Sequence, residues 1–123
     1  MSGPAEGKGN VLLVTRLLRC GRTVSLQLRG VLNWRTAAQF RQDVAVGLTG
    51  PCRRVVLDLT GVEYVGGDVL RALVDLHEQL SARGIELRLV IPEGSRCARS
   101  VALTGLDRRI PTYGRPEQAW HHR

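Results

Sequence analysis

The residues of this sequence that could do chemistry are three cysteines, three histidines and a carboxylate beside two glycines. Cys20, Cys52 and Cys97 are odd in number and far apart, and no two of them have the C-x-x-C spacing. Such spacing argues against a disulfide framework and against a zinc site. We expect buried or half-buried free thiols in a reducing compartment. A redox role for one pair stays open.

The histidines do not form a converging set of ligands. His77 stands alone on a predicted helix, and His121 and His122 are adjacent at the end of the sequence. A metal site needs several ligands brought to one point. Gly66 and Gly67 lack the Lys that follows a phosphate-binding loop, and no nucleophile elbow is present. We therefore expect no enzymatic activity, no metal and no cofactor.

The carboxylate is Asp68, which follows Gly66 and Gly67 where a helix is predicted to begin. A negative charge at a helix N-terminus is favourable by about 0.3–1 kcal/mol, through the macrodipole and the free N–H groups. One interpretation makes Asp68 an N-cap, with the two glycines supplying unusual backbone angles. The other makes it part of a partner-binding surface. One carboxylate can do both.

Charge and composition narrow the class of partner. The 123 residues carry a formal charge of +7, and 17 of the 18 basic residues are Arg. The arginines are spread along the chain, and few aromatic residues lie among them to stack on bases. This pattern argues against nucleic-acid binding and fits a basic surface or an acidic protein partner. Neither a signal peptide nor a membrane span is recognisable, so we expect a cytoplasmic protein.

The pattern of apolar residues predicts one domain over residues 11–121 behind a flexible tail, residues 1–10. Residues 11–30 read as a hairpin that turns at Gly21. A helix follows with Asn33 as its N-cap, and residues 54–59 read as a strand buried on both faces. A loop over residues 60–67 leads to a helix with a buried stripe at Val69, Leu73, Leu76 and Leu80.

The remaining elements complete an alternating pattern. Residues 85–91 form a strand, and Ser95 caps a third helix that ends at Gly105 in the left-handed conformation. A short extended piece and a brief helix follow, over residues 110–113 and 115–120. The predicted order is ββαβαβα(β)α, an α/β domain with a mixed sheet of four to five strands flanked by helices.

Three stretches resemble the STAS domain family, in its anti-sigma factor antagonist branch. They are Leu28-Arg29-Gly30-Val31-Leu32-Asn33, the strand and loop over residues 55–65, and the T-G-L segment with a later Pro over residues 102–113. The resemblance implies partner switching: the domain binds an anti-sigma factor, often a serine kinase, and so frees a sigma factor. In such relatives the kinase phosphorylates a Ser or Thr at the start of the second helix.

The sequence departs from the family at that position. The five motif positions fall on Gly66, Gly67, Asp68, Val69 and Leu70, with Asp68 in place of the phosphoacceptor, and Asn33 replaces an Asp of the partner-binding surface. We expect partner binding at these residues and at Trp34, without the usual phosphorylation. The alternative is a scaffold or accessory subunit of a larger signalling or lipid-transport complex. The oligomeric state stays open.

Overall fold

The computed structural model describes residues 12–121, so the predicted tail, residues 1–10, lies outside the described residues. The elements follow the chain in this order: β1 (Leu12–Cys20), β2 (Thr23–Leu32), α1 (Ala37–Gly47), β3 (Arg54–Val65), α2 (Gly67–Ala82), β4 (Glu86–Val90), α3 (Arg96–Thr104), α4 (Leu106–Arg109), β5 (Thr112–Tyr113) and α5 (Pro116–His121). The α/β class and the predicted element order are confirmed, and the one-turn α4 is an addition.

The strands form one five-stranded sheet in the order β1-β2-β3-β4-β5. β1 and β2 are the predicted antiparallel hairpin, while each later neighbour pairs in parallel. The sheet is therefore mixed, with β1 at one edge. The carboxyl ends of β2 and β3 lie side by side, since Leu32 is paired with Val65.

Two hydrophobic clusters lie on opposite faces of the sheet. The larger one joins strand residues such as Leu26 and Leu57 to Phe40 of α1, Leu73 of α2 and Val101 of α3. The smaller one consists of Val56 and Val90 under Ala119 of α5. The helices α1 to α4 thus cover one face, and α5 covers part of the other. In residues 12–121 no helix is long and apolar enough to cross a membrane.

The predicted loop over residues 60–67 is wrong, because β3 continues to Val65. The second half of β3 pairs with the second half of β2 after register shifts near Gln27 and Gly30. Gly61 permits this close approach: a Cβ there would lie 3.0 Å from the carbonyl oxygen of Leu28. The extension carries the chain directly to the start of α2.

The third helix begins and ends as predicted. The Ser95 side chain accepts a hydrogen bond of 3.1 Å from the N–H of Ala98, which makes Ser95 the N-cap of α3. Gly105 has a φ of +75°, a left-handed conformation that glycine adopts at little cost. Both signals involve only residues within a few positions of the ends of α3, which is why the sequence indicated them.

Candidate functional site

The segment between β2 and α1 is a tight turn built by Asn33. Its Oδ1 accepts hydrogen bonds from the N–H groups of Arg35 at 3.0 Å and Thr36 at 3.2 Å. Thr36, the residue before α1, is buried and donates its hydroxyl to the carbonyl of Val31 at 2.9 Å. The prediction of Asn33 as the α1 N-cap is wrong, because its amide closes the preceding turn and the helix begins at Ala37.

This turn holds Trp34 out in solvent, where its side chain is 68% exposed. The Arg35 guanidinium lies 5.0 Å from the centre of the indole ring, within the range of a cation–π contact. An exposed Trp keeps a large apolar surface in water, and Trp is enriched at the energetic centres of protein interfaces. The turn therefore leaves most of the Trp34 side chain accessible at the surface.

The start of α2 is formed by Gly66, whose backbone is extended (φ −73°, ψ 156°). Its carbonyl accepts the N–H groups of Val69 at 3.0 Å and Leu70 at 3.2 Å. The interpretation of Asp68 as the N-cap is wrong, since Gly66 occupies that position and no side chain caps the helix. Asp68 lies in the first turn, exposed, where its charge still complements the helix dipole.

The two segments meet through the backbone. The N–H of Gly66 donates a hydrogen bond of 2.8 Å to the carbonyl of Leu32. A Cβ on Gly66 would lie 3.8 Å from Asn33 and 3.6 Å from the ring of Tyr64. The predicted site residues from β2–α1 and from β3–α2 are thus brought to the same end of the sheet.

Tyr64 also belongs to this region, although the sequence reasoning missed it. Its side chain is 52% exposed at the carboxyl end of β3. The pair Glu63-Tyr64 is exposed on both residues, which breaks the alternation of a half-buried strand. Sequence spacing carries no signal for this exposure, because it follows from the pairing of β3 with β2 in the folded chain.

Val69 and Leu70, which were predicted to bind a partner, are instead core residues. Val69 is 0% and Leu70 6% exposed, and both belong to the main hydrophobic cluster. Gly66 is buried as well, whereas Gly67 is exposed. We name the group that faces outward the loop surface: it consists of Asn33, Trp34, Tyr64, Gly67 and Asp68.

The loop surface offers two aromatic side chains, one carboxylate and the free N–H groups of a helix start. In residues 12–121 no group of three His, Cys, Asp or Glu side chains is placed to hold a metal ion. Such a surface is suited to contact with another protein.

The cysteines lie at three depths. Cys20 is exposed, Cys52 half-buried and Cys97 buried, and all three are free thiols. The Cys97 Sγ donates to the carbonyl of Val62 at 3.4 Å. Burial raises the pKa of the Cys97 thiol above its ordinary value. The side chain therefore stays protonated, and a protonated thiol is less reactive than a thiolate.

Comparison with known proteins yields one family. Residues 16–112 match the family model described as "Mlab, STAS domain". A curated relative, Rv2638 of Mycobacterium tuberculosis, carries the name of an anti-anti-sigma factor and is 31% identical over 96 residues. That match spans 76% of this chain but 64% of the relative, so the chain covers under two thirds of the relative's length.

Solved structures show the same fold. The crystal structure of an anti-sigma factor antagonist from Mycobacterium paratuberculosis has a TM-score of 0.78 at 22% identity and covers 90% of this chain and 92% of that one. A Thermotoga maritima structure described as an anti-sigma factor antagonist has a TM-score of 0.75 at 25% identity, covering 85% and 90%. With a family model matching most of its length, the chain belongs to the STAS domain family.

Proposed function

We propose that this chain is a cytoplasmic anti-sigma factor antagonist that binds its anti-sigma factor through the loop surface. The names of the M. tuberculosis relative and of the two solved structures support this assignment. The chain acts as a binding module and not as an enzyme. By occupying the anti-sigma factor it leaves a sigma factor free, which is partner switching.

The observation that carries the proposal is the position of Asp68. It lies exposed in the first turn of α2, beside the exposed Trp34 and Tyr64 at the same end of the sheet. By the resemblance of the motif, we assign residue 68 to the position of the phosphoacceptor in related antagonists. A carboxylate has no hydroxyl for a serine kinase to modify, so the usual phosphorylation does not occur here.

Asp68 also carries less negative charge than a phosphorylated serine at the same position would. Its charge is about −1, whereas a phosphoserine carries about −1.5 to −2 at neutral pH and has three acceptor oxygens. Within residues 12–121 its carboxylate is neither a helix cap nor a member of an ion pair. It is therefore available to a donor or cation on the anti-sigma factor. We propose that it fixes the domain in one signalling state.

The test is binding of the purified protein to its cognate anti-sigma factor, with Asp68→Ser and Asp68→Ala compared by titration calorimetry. We expect the wild type to bind, and incubation with the anti-sigma factor and ATP to add no phosphate at residues 66–70. Phosphate found in that segment of the wild type would contradict the proposal. Equal affinity of all three proteins would reduce Asp68 to a contributor to helix stability.

The alternative, an accessory subunit of a larger signalling or lipid-transport complex, predicts a different native assembly. A pull-down from the native host followed by mass measurement separates the two. Recovery of an anti-sigma factor in a small complex supports the antagonist, while co-purification with transporter subunits supports the alternative.

A further inference from the structure

Arginines from three parts of the chain meet at the amino ends of the parallel strands β2, β3 and β4. The N–H of Arg53 donates to the carbonyl of Arg22 at 2.7 Å, and the N–H of Glu86 donates to the carbonyl of Arg53 at 2.8 Å. Arg83 follows α2 directly and lies shortly before Glu86 in the chain. Residues that are far apart in the sequence are thus gathered at one end of the sheet, opposite the loop surface.

We name this group the basic end: Arg22, Arg53 and Arg83. All three residues are exposed, and within residues 12–121 none of their side chains takes part in an ion pair or a hydrogen bond. Glu86 lies beside them, but its carboxylate is already paired with Arg54 and Arg88 at 3.1 Å each. The basic end therefore presents three positive charges that the described part of the chain does not neutralise.

Aliphatic side chains are exposed next to the basic end. Val46, in the last turn of α1, is 62% exposed, and Leu17 of β1 is 48% exposed. A Cβ on Gly47 would lie 3.4 Å from the Leu17 side chain, so Leu17 packs beside this last turn. Arg19 donates to the carbonyl of Gly47 at 3.5 Å and joins the turn to the end of β1, which leads directly to Arg22. The aliphatic side chains and the free arginines thus share one end of the molecule.

These two features together distinguish an anionic lipid bilayer from other polyanions. Proteins that bind single-stranded nucleic acid stack its bases on aromatic side chains, but in residues 12–121 the aromatic side chains more than half exposed are Trp34 and Tyr64, at the opposite end. A DNA duplex or a purely acidic protein segment would pair with the arginines and leave Leu17 and Val46 in water. A bilayer surface takes up both, since aliphatic side chains enter the headgroup boundary while arginines meet the lipid phosphates.

We infer that the basic end and its aliphatic neighbours, Leu17 and Val46, dock this chain on the surface of an anionic lipid bilayer. Each arginine near such a surface strengthens binding by roughly fivefold. Three arginines with two shallow aliphatic side chains give a reversible attachment that salt weakens. In this orientation the loop surface faces away from the membrane and stays open to a protein partner. The inference goes beyond the proposed function and does not depend on it.

The experiment is co-sedimentation of the full chain with vesicles of phosphatidylcholine alone or with added phosphatidylglycerol, at low and at high salt. The test variant combines Arg22→Gln, Arg53→Gln and Arg83→Gln, and Val46→Asn tests the aliphatic contribution. The matched control replaces three exposed arginines that follow the carboxyl ends of β4 and β5: Arg96→Gln, Arg99→Gln and Arg115→Gln. Both triple variants lose three positive charges, so they differ only in position. Circular dichroism and thermal melting verify that each variant is folded.

We expect the wild type to bind vesicles that contain phosphatidylglycerol at low salt, and to be released at high salt or from phosphatidylcholine alone. The basic-end variant should bind more weakly by roughly tenfold or more, Val46→Asn should bind several-fold more weakly, and the control should stay close to the wild type. A wild type that does not bind, or an equal loss in both triple variants, would overturn the inference.

The other polyanions are tested in the same buffers, with poly-glutamate or a DNA duplex in place of the vesicles. We expect both to bind more weakly than the vesicles and to be unaffected by Val46→Asn, since neither offers an apolar boundary. Tighter binding to either one, lost in the basic-end variant, would assign the basic end to that class of partner and overturn the lipid inference. Unchanged vesicle binding by Val46→Asn would do the same, because charge alone would then account for the attachment.

Discussion

The N–H of Gly66 donates a 2.8 Å hydrogen bond to the carbonyl of Leu32, and this contact joins two segments far apart in sequence. It fixes the start of α2 against the end of β2, next to the Asn33 turn. Because the bond is between backbone groups, substitution of Trp34, Tyr64 or Asp68 leaves both of its partners in place. Asn33 differs from these three residues, since its Oδ1 closes the turn that holds Trp34.

Replacing either aromatic residue of the loop surface should weaken partner binding. We expect Trp34→Ala and Tyr64→Ala to lower affinity for the anti-sigma factor by roughly tenfold or more, as buried aromatic anchors do at interfaces. Both side chains are more than half exposed in the free protein, so the melting temperature should change little. Leu103→Ala, at a residue that is 81% exposed on α3 and lies outside the loop surface, serves as the control, and calorimetry measures all three. Unchanged affinity of both aromatic variants would place the interface elsewhere.

Removing the Arg19 side chain should destabilise the end of α1. Its guanidinium donates to the carbonyls of Pro51 and Thr49, each at 2.6 Å, and of Gly47 at 3.5 Å. We expect Arg19→Ala to lower the free energy of unfolding by about 1–3 kcal/mol in urea titrations. Arg19→Lys should retain only part of this stabilisation, because an ammonium group lacks the planar fork with which a guanidinium reaches several carbonyls at once. Arg22→Ala, in the exposed turn, is the control. An equal loss of unfolding free energy in Arg22→Ala would indicate a general effect of removing a positive charge.

Arg88 should prove essential to the docking of α5. It is 2% exposed, donates from Nη1 to the carbonyl of Ala119 at 2.8 Å and lies 5.5 Å from the ring of Tyr113. Arg88→Met should reduce the unfolding free energy by about 1–3 kcal/mol and speed hydrogen exchange in α5. Exchange in α2 should rise only by the global loss of stability. Protection of α5 equal to that in the wild type would contradict this role.

Acid should weaken the ion pairs at the start of β4. Burial alone would raise the pKa of Glu86, but hydrogen bonds and charge from Arg54 and Arg88 outweigh it and hold the pKa below its ordinary value. A lowered folded-state pKa contributes stability above the unfolded-state pKa, and that contribution is lost as the pH falls through the folded value. Glu86→Gln should therefore be less stable than the wild type at neutral pH, and the difference should vanish on acidification. A difference that is independent of pH would indicate a packing effect.

The three thiols should react in the order of their exposure. With iodoacetamide at neutral pH, we expect Cys20 to be modified first, Cys52 more slowly, and Cys97 only on unfolding. The raised pKa of Cys97 adds to its steric protection. Peptide mass spectrometry over time gives the order, and a urea-unfolded sample is the control. Early modification of Cys97 in the folded protein would show that α3 opens readily.

Much of the fold follows from short-range patterns in the sequence. The alternation over β2 and the Ser95 cap depend on neighbouring residues, and both gave correct elements. The second half of β3 could not be predicted in this way, because its pairing with β2 passes through register shifts set by tertiary contact. Asn33 and Asp68 have side chains typical of N-caps, yet Thr36 and Gly66 occupy those positions.

The candidate site was predicted in location but not in detail. The sequence assigned Val69 both to the buried stripe of α2 and to the partner surface. In the structure its side chain is fully buried in the core. Tyr64 was missed because single exposed aromatics are common on protein surfaces. Its significance comes only from its distance to Gly66, which no sequence spacing encodes.

The carboxylate in the first turn of α2 has a consequence for how such a protein would be controlled in the cell. A phosphoryl group is added by one enzyme and removed by another, so it can be reset within the lifetime of one molecule. The carboxylate of an encoded aspartate cannot be removed by a phosphatase. Under the proposed function, the supply of free anti-sigma factor would follow the copy number of this protein, and regulation would pass to its synthesis and its proteolysis.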